Sequence, residues 1–388
     1  MKAGFLASEA EFHAAAREAC GLEDFGDGEY REGLRALLES LDRDAALNPV
    51  GHLTLRGSIV EALVGRLLSE DGWARHPECT AAPVEQPLVI LGLPRTGTSA
   101  LQQLLAQDPA LQGLEYWLSI TPKARPPRNT WAEDPEFRSC DERLRLLYEQ
   151  SPGMKAIHFM QAGAVDECWR LLSQSFAHSS WHAWANVAHY EHWWSRHDMR
   201  PAYQRHRKNL QLIGHREPEK RWLLKDSTHL FDLDAFLSVY PDARVIQTHR
   251  DPVRAIASVC SLCWAARQPL NENPDPAAFG RATLDLWERA VLGAVAARTK
   301  HDPAQFFDLP FGAFQSDPLA AIEAIYAHFG IAYSEAAETA MRRFRTENPR
   351  DKHGAHHYDV ETWGLDPDEI RERFQAYVEA FDVPSESR

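Results

Sequence analysis

Apolar residues recur along this chain at two periods, and the changes of period divide it. Between residues 8 and about 80 the spacing is helical: Leu34, Leu37, Leu38 and Leu41 share one face, and Ile59, Leu63, Val64, Leu67 and Leu68 repeat the pattern. The prolines of 81–87 break it. Leu88-Val89-Ile90-Leu91 then forms a continuous apolar run, which suits a strand buried on both faces. From Thr98 the spacing of Leu101, Leu104 and Leu105 is helical again until Asp108-Pro109. Two more strands are predicted at 222–224 and 244–248, each followed by a helical pattern, the first from Leu230 to about Val239 and the second through Ile256, Val259 and Cys260. Asp251 with Pro252 fits an N-cap followed by proline at the first helical position. Strands alternating with helices predict an α/β fold with a central parallel sheet, an N-terminal helical appendage and helical insertions. No internal repeat is visible.

Composition narrows the classes. The 388 residues carry 42 Lys/Arg against 56 Asp/Glu, a net charge of −14, so attraction of the whole chain to nucleic acid or an anionic membrane is not expected, and any anion site is local. No apolar run approaches the ~20 residues of a membrane span, and the opening segment has no secretory h-region, so a cytoplasmic location is expected. The six cysteines are scattered, which suits reduced thiols, and Cys260-x-x-Cys263 reads as helix packing. Residues 121–134 are rich in proline and basic side chains and read as a surface crossing able to act as a lid. Trp169, Phe176, Trp181, Trp184, Tyr190, Trp193 and Trp194, with four histidines among them, either line an acceptor pocket or form an interior helix pair.

The sharpest motif is Gly92-Leu-Pro-Arg-Thr-Gly97-Thr98-Ser99, between a buried strand and a helix. Its glycine spacing is that of a phosphate-binding loop, in which backbone N–H groups and a helix N-terminus face an anion. The lysine that a nucleoside triphosphatase needs is Thr98 here, and Arg95 supplies the cation instead. A second strand-to-helix junction, Thr248-His-Arg-Asp-Pro252, places Arg250 two helical turns from Ser258, a pair able to hold a second phosphate.

Two anion sites on one sheet without that lysine call for a nucleotide phosphorylated at both ends. The combination resembles the sulfotransferases that use 3′-phosphoadenosine 5′-phosphosulfate (PAPS), in particular the bacterial branch with a Leu-Pro-Arg-Thr-Gly-Thr-Ser loop. The resemblance runs from Pro87 to Phe381 and includes Ile157-His158, Asp166-Glu167-Cys168, Trp222-Leu-Leu-Lys-Asp226 with His229, and Asn348-Pro-Arg-Asp-Lys-His-Gly354. It implies a three-layer P-loop-type fold, divided as a helical region over 1–80, the sulfotransferase domain over 81–345, and a basic loop and helix completing the nucleotide site over 346–388. By the same resemblance Arg95, Thr96, Gly97, Thr98 and Ser99 hold the 5′-phosphosulfate and Arg250 and Ser258 the 3′-phosphate, over which Arg350, Lys352, His353 and Gly354 close.

Sulfuryl transfer is an in-line displacement that rests on positioning and charge stabilisation. Arg95 and Lys225 are the candidates for the leaving-group side. The general base is Glu115, which resembles the glutamate that part of the bacterial branch uses here, with His229 and His158 as the other candidates. Asp166 and Glu167 are placed as groups that orient a base or acceptor. PAPS is expected as co-substrate, with no metal, because His189-x-x-His192 and the histidines of 353–357 lack zinc spacings. The expected partner is a small-molecule or lipid hydroxyl or amine, with no nucleic acid; a homo-oligomer is compatible with the chain. The rival readings are a P-loop phosphotransferase or kinase, and a non-catalytic nucleotide-binding protein.

Overall fold

The computed structural model describes residues 4–150, 160–348 and 359–386. Three helices open it: α1 (Glu9–Cys20), α2 (Tyr30–Arg43) and α3 (Pro49–Arg75). Local chemistry sets their limits. The Asn48 side chain accepts from the Gly51 N–H ahead of Pro49 at the start of α3, and α1 stops at Gly21 in the left-handed region. Leu34, Leu37, Leu38, Leu41, Ile59, Leu63 and Leu67 are all buried. They share one apolar cluster with Val89, Leu91 and Trp222, so the change at residue 81 is one of element type and not of core. Arg66, fully buried on α3, fastens the region. Its guanidinium donates to the carbonyls of Phe25, Asp27 and Gln174 and to the carboxylates of Asp27 and Glu29, and it lies 4.3 Å over the Tyr30 ring.

Five strands form the sheet: β1 (Leu88–Gly92), β2 (Leu111–Gly113), β3 (Arg221–Lys225), β4 (Arg244–His249) and β5 (Phe306–Pro310). All are parallel, in the order β2-β3-β1-β4-β5. Successive residues of β1 enter two different clusters, Val89 and Leu91 on one face and Leu88 and Ile90 on the other. Burial on both faces is what the continuous apolar run required. The helices Arg200–Gly214 and Pro276–Arg298 are insertions of the expected kind. The edge strands β2 and β5 are not evident in the pattern: the first has three residues, and the second carries the exposed Asp308 and ends on a proline.

Strand order positions the site. β1 lies between β3 and β4, and the chain leaves it first toward β2 and β3 and later toward β4 and β5, which opens a crevice at the carboxyl ends of the central strands. The register pairs Gly92 with Thr248 and Ile90 with Lys225, so the three strand exits stand side by side. Among the described residues no helix is long and apolar enough to cross a membrane.

Candidate functional site

The turn after β1 is built from uncommon backbone angles: φ is +146° at Gly92, +72° at Arg95 and +92° at Gly97. A Cβ on Gly92 would fall 2.4 Å from Thr248 Oγ1 and 2.7 Å from the Thr248 carbonyl oxygen, so only glycine fits against β4. Arg95 is a side-chain-bearing residue in the left-handed region, at a cost of about 1–3 kcal/mol. Its carbonyl accepts from Arg250 Nη1 at 3.0 Å and its Nε donates to Ser258 Oγ at 3.0 Å, contacts that help hold it there. Helix α4 (Thr98–Leu105) follows, capped at Gly97 with no side-chain acceptor, which leaves its first N–H groups and the positive end of its dipole for an anion. The Thr96 hydroxyl is buried, donates to the Leu93 carbonyl at 2.6 Å and meets Thr248 Oγ1 at 2.5 Å, so it stitches the turn to β4 and is not offered to a ligand. Ser99 is exposed at the front of the turn.

Lys225, at the end of β3, reaches across to this turn. Its Nζ donates to Ser99 Oγ at 2.9 Å and to the Glu167 carboxylate, and its side chain is almost wholly buried. Glu167 stays partly open to solvent. The adjacent Asp226 is buried: Oδ1 accepts from the Thr228 N–H at 2.7 Å, while Oδ2 has no hydrogen-bond partner. Burial first, and then the neighbouring Glu167 charge, push the Asp226 carboxyl up to about 7. The Cys263 thiol, also nearby, is pushed up to about 12 by burial and feels the charges of Arg267, Arg95 and Glu167.

Arg250, after β4, is held on several sides. Its guanidinium lies 4.1 Å over the Phe311 ring and donates to the Arg95 carbonyl. Its Nε and Nη2 grip both oxygens of the Glu386 carboxylate, at 2.9 and 3.0 Å, and the Glu386 N–H donates to Asp251 Oδ2 at 2.8 Å. The helix Gln375–Phe381 brings this tail back, with Tyr377 Oη 3.3 Å from the Arg250 N–H and Phe381 stacked on His249. Asp251 caps the following helix through the Val253 N–H, as its Asp-Pro pair predicts.

The structure therefore gathers Arg95, Gly97, Thr98, Ser99, Lys225, Arg250 and Ser258 at one crevice, but it leaves Glu115 and His229 buried and already engaged. Glu115 is fully buried, with one oxygen bound by Arg125 at 3.0 Å and the other by Arg128 at 3.1 Å. That same Arg125 is buried and also holds Gln112, Glu217 and the Gly113 carbonyl, so the proline-rich crossing is anchored to the sheet edge and is no lid. Neither oxygen of Glu115 is left for an acceptor proton. His229 is fully buried, its Nδ1 3.2 Å from Tyr203 Oη and its ring 4.5 Å from that of Phe236. Burial holds it well below the usual histidine range, so it stays a neutral core residue. The carboxylate beside the turn is that of the half-buried Glu167, expected from the sequence only to orient a base or acceptor. Phe311 and Glu386 were missed; Phe311 follows β5, a strand the pattern does not show. Of the aromatic segment, Phe176, Trp181, Tyr190 and Trp194 are core, while Trp169 and Trp184 are half-buried. The cysteines of the described residues are free thiols. His158, Arg350, Lys352, His353 and Gly354 lie outside the described residues.

Cationic groups at three adjacent strand exits, around a glycine turn lacking the triphosphatase lysine, define a P-loop-like α/β protein built for an anionic ligand. The sequence model of the sulfotransferase family matches residues 87–335, and the chain belongs to that family. It is 40% identical to sulfotransferase STF1 from Mycobacterium tuberculosis H37Rv, with a TM-score of 0.89 over 96% of this chain and 99% of that one. Sulfotransferase STF9 from Mycobacterium avium is 27% identical, with a TM-score of 0.90 over 98% of both chains. The omega-hydroxy-beta-dihydromenaquinone-9 sulfotransferases Stf3 of Mycobacterium bovis and Mycobacterium tuberculosis are each 26% identical over 148 residues, a match spanning 37% of this chain and 37% of theirs.

Proposed function

We propose that the protein transfers a sulfuryl group from PAPS to a hydroxyl of an apolar small-molecule or lipid acceptor. One observation carries this reading: Arg95 after β1, Lys225 on β3 and Arg250 after β4 converge, with Arg250 donating to the carbonyl of Arg95 and Lys225 to Ser99 of the same turn. A donor with an anion at each end needs two cationic places within one nucleoside's span, and these contacts keep them that close. The turn from Arg95 to Ser99, with the N-terminus of α4, takes the phosphosulfate; Arg250 and Ser258 take the 3′-phosphate. The Glu386 carboxylate gripped by Arg250 supports the second assignment, since it is an anion already drawn to that guanidinium.

In the displacement, the acceptor oxygen bonds to sulfur while the bond from sulfur to the bridging phosphate oxygen breaks. Glu167 receives the acceptor proton, and Lys225 and Arg95 meet the charge developing on the departing adenosine 3′,5′-bisphosphate. Glu167 is suited to this by its solvent-facing carboxylate, held by Lys225 one side chain away from Ser99. Two residues further on, Trp169 joins Trp181, Trp184, Arg170 and Glu61 around a small cleft of about 30 Å³. Aromatic side chains of this kind suit contact with an apolar or aryl acceptor. The name of the Stf3 relatives, which gives them a hydroxylated menaquinone as acceptor, points the same way. Phosphotransfer from ATP is disfavoured by Thr98 at the lysine position. The decisive experiment is a thermal-shift titration with adenosine 3′,5′-bisphosphate beside ADP and Mg-ATP, because a ligand of the native state raises its stability in proportion to affinity. Stabilisation by the bisphosphate alone is expected; stabilisation by Mg-ATP alone would reverse the assignment.

A further inference from the structure

We propose a second, metal-binding site on this chain, independent of the sulfuryl-transfer reading, formed by His76, Glu78 and His215 for a divalent transition ion such as Zn²⁺. The three offer ligand atoms that all lie within 4.8 Å of one another. Glu78 Oε1 is 3.1 Å from His76 Nδ1 and 3.8 Å from His215 Nε2. Tetrahedral zinc with bonds of ~2.0 Å separates its ligand atoms by roughly 3.3 Å, a value these two distances bracket.

The chemistry of His215 agrees. His215 Nδ1 is 2.8 Å from the Leu212 carbonyl oxygen, which only accepts, so Nδ1 carries the proton and Nε2 presents its lone pair toward Glu78. A carbonyl behind a histidine in this way is the usual support of a metal ligand. The backbone around the ligands is fixed as well. His76 and Glu78 lie where α3 ends and the short helix Pro77–Ala81 begins, with the His76 N–H bonded to the Gly72 carbonyl at 3.0 Å. One helical turn before His215, Gln211 donates to the carbonyls of Thr80 and Ala82 at 2.8 and 2.9 Å, pinning the two segments side by side. Two half-buried histidines and one exposed glutamate leave a fourth position to water.

The placement gives the ion a structural role. His76 and Glu78 precede β1, and His215 precedes β3, so the site lies at the amino ends of the strands, away from the crevice. A metal there clasps the segments that lead into the two strands bearing the Gly92 turn and Lys225. Zinc spacing rules could not show it, because the third ligand is remote in sequence.

The test is titration of the metal-stripped full chain with Zn²⁺, followed by calorimetry and thermal shift, with Co²⁺ absorption as a report of geometry. One saturable Zn²⁺ per chain is expected, with a rise of a few degrees in Tm at about a hundredfold excess over Kd. His215→Ala and Glu78→Gln should weaken binding by about a hundredfold and remove the visible Co²⁺ bands, while melting in EDTA like the parent. A parent chain that binds no Zn²⁺, or variants that bind it as the parent does, would overturn the proposal. Binding of adenosine 3′,5′-bisphosphate should survive in both variants, which separates this site from the crevice.

Discussion

At the scale of single residues, the division of labour around the turn is set by which charges are already satisfied. Glu115 is held by two arginines with no exposure, whereas Glu167 is paired with Lys225 and is partly open to solvent. Glu167→Gln keeps the size and a hydrogen-bonding oxygen but cannot take a proton. Transfer in the variant should fall by about 10²–10⁴, with affinity for adenosine 3′,5′-bisphosphate within about threefold of the parent. Steady-state rates measured beside calorimetric binding test this; a variant with normal kcat removes Glu167 from the chemistry. Arg250→Ala makes the opposite split. Losing charge-assisted bonds worth about 1.5–3 kcal/mol should weaken bisphosphate binding by about ten- to a hundredfold. Equal affinity in parent and variant would dismiss the second phosphate position.

At the scale of elements, legibility followed how locally each element is specified. β1, β3 and β4 could be read because burial on two faces forces continuous apolar runs, and the turn between β1 and α4 because its backbone admits few residues. Arg95, Lys225 and Arg250 were readable for the same reason: each stands at a fixed offset from a strand end. β2 and β5 were not, since edge strands need only half the pattern. Glu167 and Glu386 owe their places to long crossings that periodicity does not describe. The tail is the clearest case, for nothing around Glu386 signals that it returns to Arg250. Its ion pair is partly exposed, so its net worth is at most about 1 kcal/mol, but any phosphate on Arg250 must first displace it. Glu386→Ala should therefore tighten binding of the bisphosphate by about two- to fivefold, and ADP, which lacks the 3′-phosphate, should gain nothing. Isothermal titration of both nucleotides decides it: a gain shared by ADP would place the effect elsewhere.

At the scale of the molecule, a parallel sheet covered on both faces brings buried backbone and charged strand ends together, and its function carries a cost in stability. Asp226, beside Lys225, is the plainest example, because it is buried at a strand end with Oδ2 unpartnered and Glu167 close by. Its carboxyl is raised from an ordinary 3.8 to about 7 in the fold. Below about pH 4 both the folded and unfolded chains hold this proton, and the group leaves stability unchanged. From there to about pH 7 the unfolded chain releases the proton while the folded chain keeps it, so the unfolded state binds fewer protons and stability falls as pH rises. Above about pH 7 the loss is complete. Asp226→Asn retains an oxygen for the Thr228 N–H and has no proton to lose. Between pH 5 and 8 the difference in Tm should therefore move by a few degrees in favour of the variant. Melting curves of the ligand-free parent and variant across that range measure the difference; parallel curves would mean that Asp226 is ionised in the folded protein at neutral pH and that Lys225 compensates its charge.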